Sequence, residues 1–205
     1  PLQGKKALVT AGPTYEPIDP VRFIGNHSSG KMGVAIAEAL ARAGAATTLV
    51  LGPSKLDPKH PLLKVIRVQT AQEMYDAAQA VHAGQDICVL AAAVADYAPT
   101  QAATQKIKKK DGDLTPTLHK TVDIAASLGA KKRPGQIHVG FALETENETT
   151  HAREKLVKKN FDFIVLNSLN DPGAGFNHDT NKVRFLFPDN KAIDFELKSK
   201  HAVAA

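Results

Sequence analysis

Cysteine, aromatic residues and long apolar runs are all scarce in this sequence of 205 residues. Its single cysteine, Cys88, cannot form a disulfide within the chain, which excludes a disulfide-stapled secreted scaffold. The longest uncharged apolar run, residues 87–95, is far shorter than the roughly 20 residues that cross a bilayer. The first residues also lack the basic and apolar regions of a signal peptide. We therefore expect a cytoplasmic protein with no membrane partner.

Charge of one sign is not concentrated either. The formal net charge is only +5, and no block of five like charges occurs. Four of the 26 Lys and Arg residues fall within residues 106–110, where no aromatic residue is interleaved with them. Because nucleic-acid-binding surfaces usually combine basic with aromatic residues, a local anion site is favoured over a nucleic-acid partner. Binding to a duplex that weakens steeply with salt would favour the alternative.

The remaining composition is typical of one folded domain over residues 1–205. Hydrophobic residues make up 43% and charged residues 23% of the chain, which are ordinary globular values. Short apolar runs alternate with segments of helical periodicity, and this alternation predicts an α/β fold with a doubly wound, Rossmann-like, mostly parallel sheet. The pattern predicts strands at residues 6–10, 47–51, 65–68, 86–92, 136–141 and 163–167, and helices at residues 30–44, 70–82 and 146–160.

Two stretches interrupt this alternation. Residues 104–121, with Asp111-Gly112 at the centre, predict an inserted hairpin or a mobile flap. Residues 182–197, with Pro188-Asp189-Asn190 at the centre, predict a C-terminal β-hairpin added to the sheet edge. Ligands of doubly wound sheets bind at the carboxyl ends of the strands, so the residues that follow each predicted strand are the candidates for a site.

A long proline-containing loop is predicted after the first strand, and it ends in a polar segment that opens the first helix. Residues 25–31 match the pattern G-x4-G-K of a P-loop, but Met32 stands where a Ser or Thr would hold Mg²⁺. About 14 residues also separate Thr10 from Gly25, whereas a P-loop joins its strand directly to its helix. The free N–H groups and the dipole of the helix still favour an anion here. The alternative is that Ser28 or Ser29 merely caps the helix.

Five motifs follow one another along the chain, and together they resemble the bacterial phosphopantothenoylcysteine synthetases, which are phosphopantothenate–cysteine ligases. The motifs are Thr10-Ala11-Gly12-Pro13-Thr14, Asp19-Pro20-Val21-Arg22, Asn26-His27-Ser28-Ser29-Gly30-Lys31-Met32-Gly33, Ala92-Ala93-Val94-Ala95-Asp96-Tyr97 and Lys106-Ile107-Lys108-Lys109. The resemblance implies CTP-dependent ligation of 4′-phosphopantothenate and L-cysteine in coenzyme A biosynthesis, through an acyl-cytidylate and with Mg²⁺. It also implies a homodimer, and fusion in the full-length protein to a flavin-dependent phosphopantothenoylcysteine decarboxylase domain.

The same resemblance assigns roles to residues. Asn26 and Lys106 are implied to be catalytic, and Asn26 and His27 are implied to bind the substrate. The implied nucleotide-binding residues are Gly12, Ser28, Ser29, Gly30, Ala91, Ala92, Ala93, Asp96, Lys106, Asp123, Ile124, Phe141, Lys155 and Lys159. Where many members of the family have Asn-Pro-Asp-Ile, this chain has Thr121-Val122-Asp123-Ile124, so it departs from the family's pattern at this implied nucleotide contact.

The residues themselves agree with this chemistry, although plainer interpretations remain open. Lys155 and Lys159 lie four residues apart, which predicts one shared helix face that binds phosphate or is merely solvated. Lysines alternating in residues 106–110 would share one face and repel each other until a triphosphate orders the flap; an edge strand that resists aggregation is the alternative. Phe141 could simply belong to the core, and Asp96 could be a local cap.

Two further expectations concern cofactors. No pair or triplet of histidines has the spacing of metal ligands, so we expect no metal site built by the protein, and Mg²⁺ would arrive bound mainly to the triphosphate and water. A nicotinamide cofactor is disfavoured because the second strand ends in Leu51-Gly52-Pro53, without an acidic residue for the ribose. The remaining alternative is a Rossmann-type nucleotide- or NADP-binding module without ligase activity, which NADPH but not CTP would stabilise.

Overall fold

The computed structural model describes residues 1–109, 113–144, 146–168 and 179–205. In these ranges the chain forms fourteen strands and five helices, which in order are β1 (Lys6–Ala11), β2 (Tyr15–Pro17), β3 (Phe23–Gly25), α1 (Lys31–Arg42), β4 (Ala46–Leu51), β5 (Leu63–Arg67), α2 (Ala71–His82), β6 (Ile87–Leu90), β7 (Tyr97–Pro99), β8 (Leu118–Lys120), α3 (Ile124–Gly129), β9 (Ile137–Glu144), α4 (Glu148–Lys158), β10 (Phe163–Ser168), β11 (Thr180–Asn181), β12 (Val183–Leu186), β13 (Ala192–Asp194), β14 (Lys198–Ser199) and α5 (Lys200–Ala204). Among the described helices, none combines the length and the apolar character that crossing a bilayer requires.

The main sheet confirms the predicted fold class. Its eight strands follow the order β13-β12-β10-β9-β6-β1-β4-β5, and the six from β10 to β5 are parallel. This is the doubly wound order, in which the winding direction reverses between β1 and β6. The predicted C-terminal hairpin is also confirmed, because β12 pairs antiparallel with both β10 and β13 at the sheet edge.

Helices cover the sheet on both faces, because side chains alternate along each central strand. Leu8 of β1 packs in the cluster formed with α2, α3 and α4, whereas the next residue, Val9, packs in the cluster formed with α1. Both side chains are completely buried. The capping signal before α2 works as its spacing predicts: Thr70 accepts from Glu73 N, and the Glu73 carboxylate accepts from Thr70 N.

The loop predicted between β1 and α1 contains more structure than the sequence indicates. β2 and β3 pair antiparallel, and the ring of Tyr15 stacks on that of Phe23 with centroids 3.8 Å apart. The cap suggested for α1 is wrong, because Gly30, and not Ser28 or Ser29, occupies the N-cap position, with φ of 79°. Ser28 and Ser29 lie before the helix, with their Oγ atoms 3.4 Å from the N–H groups of Gly30 and Lys31.

The flap at residues 104–121 is closed at its base and held along its first part. β7 and β8 pair antiparallel at the base. Residue 103 donates from its N–H to Ile18 O at 2.9 Å, and the Ile107 N–H donates to Asp19 Oδ2 at 3.0 Å. Residues 104–109 form no regular strand, so a central hairpin is not seen in the described part of the flap. Lys110 and the turn predicted at Asp111-Gly112 lie outside the described residues.

Candidate active site

A cleft of about 960 Å³ opens at the carboxyl ends of β1, β6 and β9. The chain continues past β1 and β6 side by side, since Ala91 N donates to Thr10 O at 3.1 Å and Ala93 N donates to Gly12 O at 2.9 Å. This is the crevice in which doubly wound sheets bind ligands. Its lining includes most of the residues singled out from the sequence, namely Asn26, His27, Ser28, Ser29, Gly30, Ala91, Ala92, Ala93, Asp96, Asp123, Ile124, Phe141, Lys155 and Lys159.

The amino terminus of α1 forms one wall of the cleft. Gly30 has a φ of 79°, a left-handed conformation that favours glycine. A Cβ at Gly33 would collide with Ala11, so the missing side chain lets α1 approach the end of β1 closely. The first N–H groups of a helix have no partner inside the helix, and the dipole is positive at that end. This wall therefore suits an anionic ligand.

Asn26 fastens the segment before α1 to the segment after β6. Its Nδ2 donates to Ala93 O at 3.1 Å and to Val94 O at 3.0 Å. Both hydrogens of the Asn26 amide group are therefore donated to main-chain carbonyl groups. Donation to a reacting oxygen would require Asn26 to break one of these two hydrogen bonds. Its amide oxygen accepts no hydrogen bond from the described part of the chain.

Positive charge dominates the described lining. Five lysines line the cleft, Lys31, Lys120, Lys155, Lys159 and Lys200, against two carboxylates, Asp96 and Asp123. Charges of one sign in a partly enclosed cleft raise the local concentration of ligands of the opposite sign. The cleft is therefore suited to a polyanion such as a nucleoside triphosphate.

Lys155 and Lys159 lie on one face of α4 and its end, as their spacing predicts, and each has a carboxylate partner. Lys155 Nζ lies 2.6 Å from Glu144 Oε1, and Lys159 Nζ lies 3.1 Å from Asp123 Oδ1. Glu144 also lies 3.7 Å from His151 Nδ1. Both lysine ammonium groups therefore reach into the cleft, where a phosphate oxygen could replace the carboxylate oxygen as their partner.

Asp123 has a structural role besides its place in the cleft. It is the N-cap of α3, where its side chain accepts from Ala126 N at 3.0 Å. Burial raises the pKa of Asp123, but this hydrogen bond and the nearby Lys159 together hold its pKa below the ordinary value. The neighbouring Ile124 is buried in the core beside the cleft. Phe141 likewise serves two purposes, since it packs against the core cluster under α1 while it lines the cleft.

Several lining residues were not singled out from the sequence. The unpredicted polar residues include Asn167, Asn181, Lys120 and Lys200. Asn167 follows the rule for the carboxyl ends of parallel strands and could have been found at the end of the predicted strand 163–167. Its Oδ1 and that of Asn181 are buried without a hydrogen-bond partner in the described residues, so they are available acceptors for a donor on a ligand.

Lys200 could not have been found from the sequence, because its place depends on how α5 packs against α1. The residue is only 6% exposed, although it is a lysine. Burial lowers its pKa, the positive charge of nearby Lys31 lowers it further, and Asp179 opposes the change. Lys31 and Lys200 thus bring a second pair of cationic groups to the α1 end of the cleft.

Gly12 and Lys106 are the predicted site residues that do not line the cleft. Gly12 lies behind the wall, where a Cβ on Gly30 would come within 3.2 Å of the Gly12 Cα. Lys106 is exposed and lies beside Ile107, whose main-chain groups are held by Asp19 and by Arg22 Nη2 at 2.6 Å from Ile107 O. In this arrangement Lys106 lies outside the cleft that the other five lysines line.

Comparison with known proteins places these features in a family context. The family model described as "DNA/pantothenate metabolism flavoprotein C-terminal domain" matches residues 2–205. The chain is 52% identical over 205 residues to a "Cysteine/Cysteine sulfinic acid decarboxylase" from an unknown prokaryotic organism, and 47% identical over 200 residues to the "Coenzyme A biosynthesis bifunctional protein CoaBC" of Bacillus subtilis. These matches cover 100% and 98% of this chain but 57% and 49% of the relatives, so the chain spans about half their length.

A solved structure resembles the chain over nearly its whole length. The crystal structure of the C-terminal domain of CoaBC matches with a TM-score of 0.82 and 41% sequence identity. The match covers 99% of this chain and 93% of that chain.

Proposed function

The chain belongs to the family of DNA/pantothenate metabolism flavoprotein C-terminal domains, and from this premise we propose that it is a phosphopantothenate–cysteine ligase of coenzyme A biosynthesis. The proposed reaction joins 4′-phosphopantothenate to L-cysteine and uses CTP through an acyl-cytidylate. The observation that carries the proposal is the cleft at the strand-order reversal, in which five lysines and the amino terminus of α1 surround a space suited to a triphosphate.

The first step activates the acid. A carboxylate oxygen of 4′-phosphopantothenate attacks the α-phosphorus of CTP, the bond from that phosphorus to the β-phosphate oxygen breaks, and pyrophosphate leaves. Because this brings anions together, the site must supply positive charge that is fixed in place before the reaction. Lys155 and Lys159 are assigned to the β- and γ-phosphates, and the N–H groups at the start of α1 to a phosphate near Ser28–Gly30.

The second step forms the amide. The amine nitrogen of cysteine attacks the acyl carbon, the carbon–oxygen bond to CMP breaks, and the proton released from the amine passes to solvent. Asn26 is assigned to this step, with its amide oxygen accepting a hydrogen bond from the incoming amine. His27 lies next to it in the lining and is assigned to the substrate.

Lys106 requires the flap to rearrange. Its proposed role at the reacting phosphate means that the contacts of Ile107 with Asp19 and Arg22 exchange for contacts with the nucleotide. Hydrogen exchange of residues 104–109 with and without CTP tests this. A change in protection on addition of CTP supports the role, and identical protection removes Lys106 from the mechanism.

The described lining fits Mg²⁺ that enters with the nucleotide. It offers two carboxylates, and one of them, Asp123, is already engaged by Lys159 and by the start of α3. Most oxygen ligands would therefore come from the triphosphate and water. When bound, the ion neutralises charge on the phosphate oxygens. The family resemblance further supports three proposals about the whole protein: a cytoplasmic location, a homodimer, and fusion to a flavin-dependent phosphopantothenoylcysteine decarboxylase domain.

Turnover with defined substrates tests the function. The chain is incubated with 4′-phosphopantothenate, cysteine and each of the four nucleoside triphosphates, and pyrophosphate and the thiol product are measured. Product formed with CTP supports the proposal. Stabilisation by NADPH with no turnover of any triphosphate contradicts it and favours a binding module without ligase activity.

Variants separate the two steps. Lys155→Gln and Lys159→Gln should each weaken CTP binding roughly tenfold or more, because a hydrogen bond between charged groups contributes about 1.5–3 kcal/mol. Lys158→Gln is the matched control, since Lys158 is exposed and does not line the cleft. Lys106→Gln should lose pyrophosphate release, whereas Asn26→Asp should retain it and lose the thiol product. Equal effects at positions 155, 158 and 159 would contradict the phosphate assignment.

A further inference from the structure

We propose that His82, Cys88 and His138 form a second site, which binds one monovalent thiophilic metal ion of the Cu(I) type. The three residues are completely or almost completely buried, at 3%, 0% and 0% exposure. They lie near the amino ends of β6 and β9, at the opposite end of the sheet from the cleft. The sequence predicts no metal site here, because His82 and His138 lie 56 residues apart and lack the spacing of metal ligands; folding brings them together.

The sheet fixes two of the three ligands. Cys88 and His138 are register partners on the adjacent parallel strands β6 and β9, so their side chains leave the same face of the sheet. His82, in the last turn of α2, reaches them from above that face. His82 Nε2 lies 3.1 Å from His138 Nε2. One ring nitrogen of each histidine and Cys88 Sγ all lie within 4.8 Å of one another. One ion could contact all three atoms at ordinary metal–nitrogen and metal–sulfur distances after small movements.

The imidazoles are already in the form that binds metals. Burial lowers the pKa of His138 to about 4, and the neighbouring His82 lowers it as well. Burial also lowers the pKa of His82, as do Arg133 and Lys131. Both rings are therefore neutral at pH 7, and neutral imidazole is the ligand form. A neutral pair can share one hydrogen bond between the two Nε2 atoms, which is the plainer use of this geometry and the one that the experiment must exclude.

Charge balance selects the class of ion. Positive groups surround the cluster: Arg133 lies near His82 and Cys88, Lys131 near His82, and Lys132 near His138, with Asp162 as the opposing charge. Cu(I) with the Cys88 thiolate is neutral overall, whereas Zn(II) would leave a net positive charge buried beside these cations. Thiolate and imidazole are also ligands that Cu(I) favours.

Cysteine binds metal ions as the thiolate, so the thiol proton of Cys88 must leave when the ion binds. Each bound ion should therefore release one proton to solvent.

Anaerobic Cu(I) titration against a chromophoric Cu(I) chelator tests the site in the whole chain. The protein is equilibrated with metal both in its folded state and by refolding in the presence of metal, because the cluster is buried. We expect one Cu(I) per chain and an affinity at least a hundredfold above that for Zn(II). Cys88→Ser should reduce the Cu(I) affinity at least a hundredfold, and His82→Gln should also reduce it.

Controls distinguish this site from general thiol or histidine binding. His119→Gln, which removes an exposed histidine of β8, should leave Cu(I) binding unchanged. Circular dichroism confirms that each variant is folded before its affinity is interpreted. Binding of Zn(II) as tightly as Cu(I), binding unchanged in both Cys88→Ser and His82→Gln, or no binding by either route overturns the proposal. Ligase activity is measured in parallel, and its absence would not affect this result because the cluster lies away from the cleft.

Discussion

At the scale of single residues, two of the cleft lysines already have carboxylate partners. Lys155 is held by Glu144 and Lys159 by Asp123, at 2.6 and 3.1 Å. Glu144 is 14% exposed in its side chain, whereas Lys155 is 43% exposed, so the carboxylate is the better buried partner. A triphosphate must therefore compete with these carboxylates for the lysine ammonium groups, and the competition weakens its net binding.

Removing one competitor should strengthen nucleotide binding. In Glu144→Gln the negative charge beside Lys155 is lost, so we expect the dissociation constant for CTP to fall roughly two- to fivefold, corresponding to about 0.4–1 kcal/mol. Isothermal titration calorimetry measures the change, and Glu154→Gln, at an exposed position of α4, serves as the control. Weaker binding in Glu144→Gln would mean that Glu144 positions Lys155 rather than competing for it.

The buried histidines make stability depend on pH. His138 has a pKa of about 4 in the folded protein, below the ordinary value of 6.5. The unfolded chain therefore binds the extra proton first, and the stabilisation that is complete above pH 6.5 is lost as the pH falls towards 4. The difference between the two pKa values corresponds to roughly 3 kcal/mol in the free energy of unfolding. Urea unfolding between pH 7 and 4.5 should show this loss, and it should be smaller in His138→Gln than in the control His201→Gln.

At the scale of elements, local signals explain which helices could be predicted. α2 has a capping box within its own sequence, and the hydrogen bonds of Thr70 and Glu73 form as the spacing requires. Thr70→Ala should therefore lower the free energy of unfolding by about 1 kcal/mol, within a usual range of about 0.5–2 kcal/mol. Chemical denaturation measures the loss, with Gln72→Ala on the exposed side of the same turn as the control. A loss of similar size in both variants would contradict the cap as its cause.

Elements that depend on distant partners could not be predicted from the sequence. The β2–β3 hairpin is held by contacts such as Tyr15 N to Gln69 O at 2.8 Å and Glu16 Oε1 to Ala71 N at 2.8 Å. No local sequence pattern predicts these hydrogen bonds. The same limit applies to the cleft. The rule for strand ends indicated the residues after the strand predicted at 86–92, among them Asp96, whereas Lys200 and Asn181 enter from outside the parallel part of the sheet.

The turn between β2 and β3 also anchors the flap. Asp19 accepts hydrogen bonds from the Arg22 side chain and from Ile107 N, and although burial opposes ionisation, these bonds hold the pKa of Asp19 well below its ordinary value. Asp19→Asn should loosen residues 103–109 and increase their rate of hydrogen exchange without CTP. Asp57→Asn, which alters an exposed aspartate in another loop, is the control. Unchanged exchange in Asp19→Asn would show that the flap is held by other contacts.

At the scale of the whole molecule, exposed apolar side chains gather on the hairpin and the flap base. β2 contacts β7, and the two paired ribbons carry Phe23 at 50%, Tyr97 at 47% and Leu118 at 41% exposure. Exposed apolar groups that lie together are typical of protein interfaces. They therefore support the proposed homodimer and indicate the face through which it would form.

Substitution on this face tests the assembly. We expect the wild-type chain to sediment as a dimer and Phe23→Ser to shift it towards the monomer, because the half of Phe23 that stays exposed beside its stack on Tyr15 would be buried only by a partner. Val157→Ser is the control, since Val157 is 78% exposed on α4 and lies on another element. A monomeric wild-type chain would contradict the dimer, and a dimer unaffected by Phe23→Ser would place the interface elsewhere.

The paired base formed by β7 and β8 also makes the flap a convenient place for a reporter. The two strands keep its ends together whatever length of chain joins them, and doubling a flexible loop costs only about 0.6 kcal/mol. A short tetracysteine tag between Asp113 and Leu114 could therefore be labelled with a fluorescent dye while the parallel sheet stays intact. Since Cys88 is buried, the dye would react at the tag alone. Such a labelled chain would let the proposed rearrangement of the flap on CTP binding be followed in real time by fluorescence.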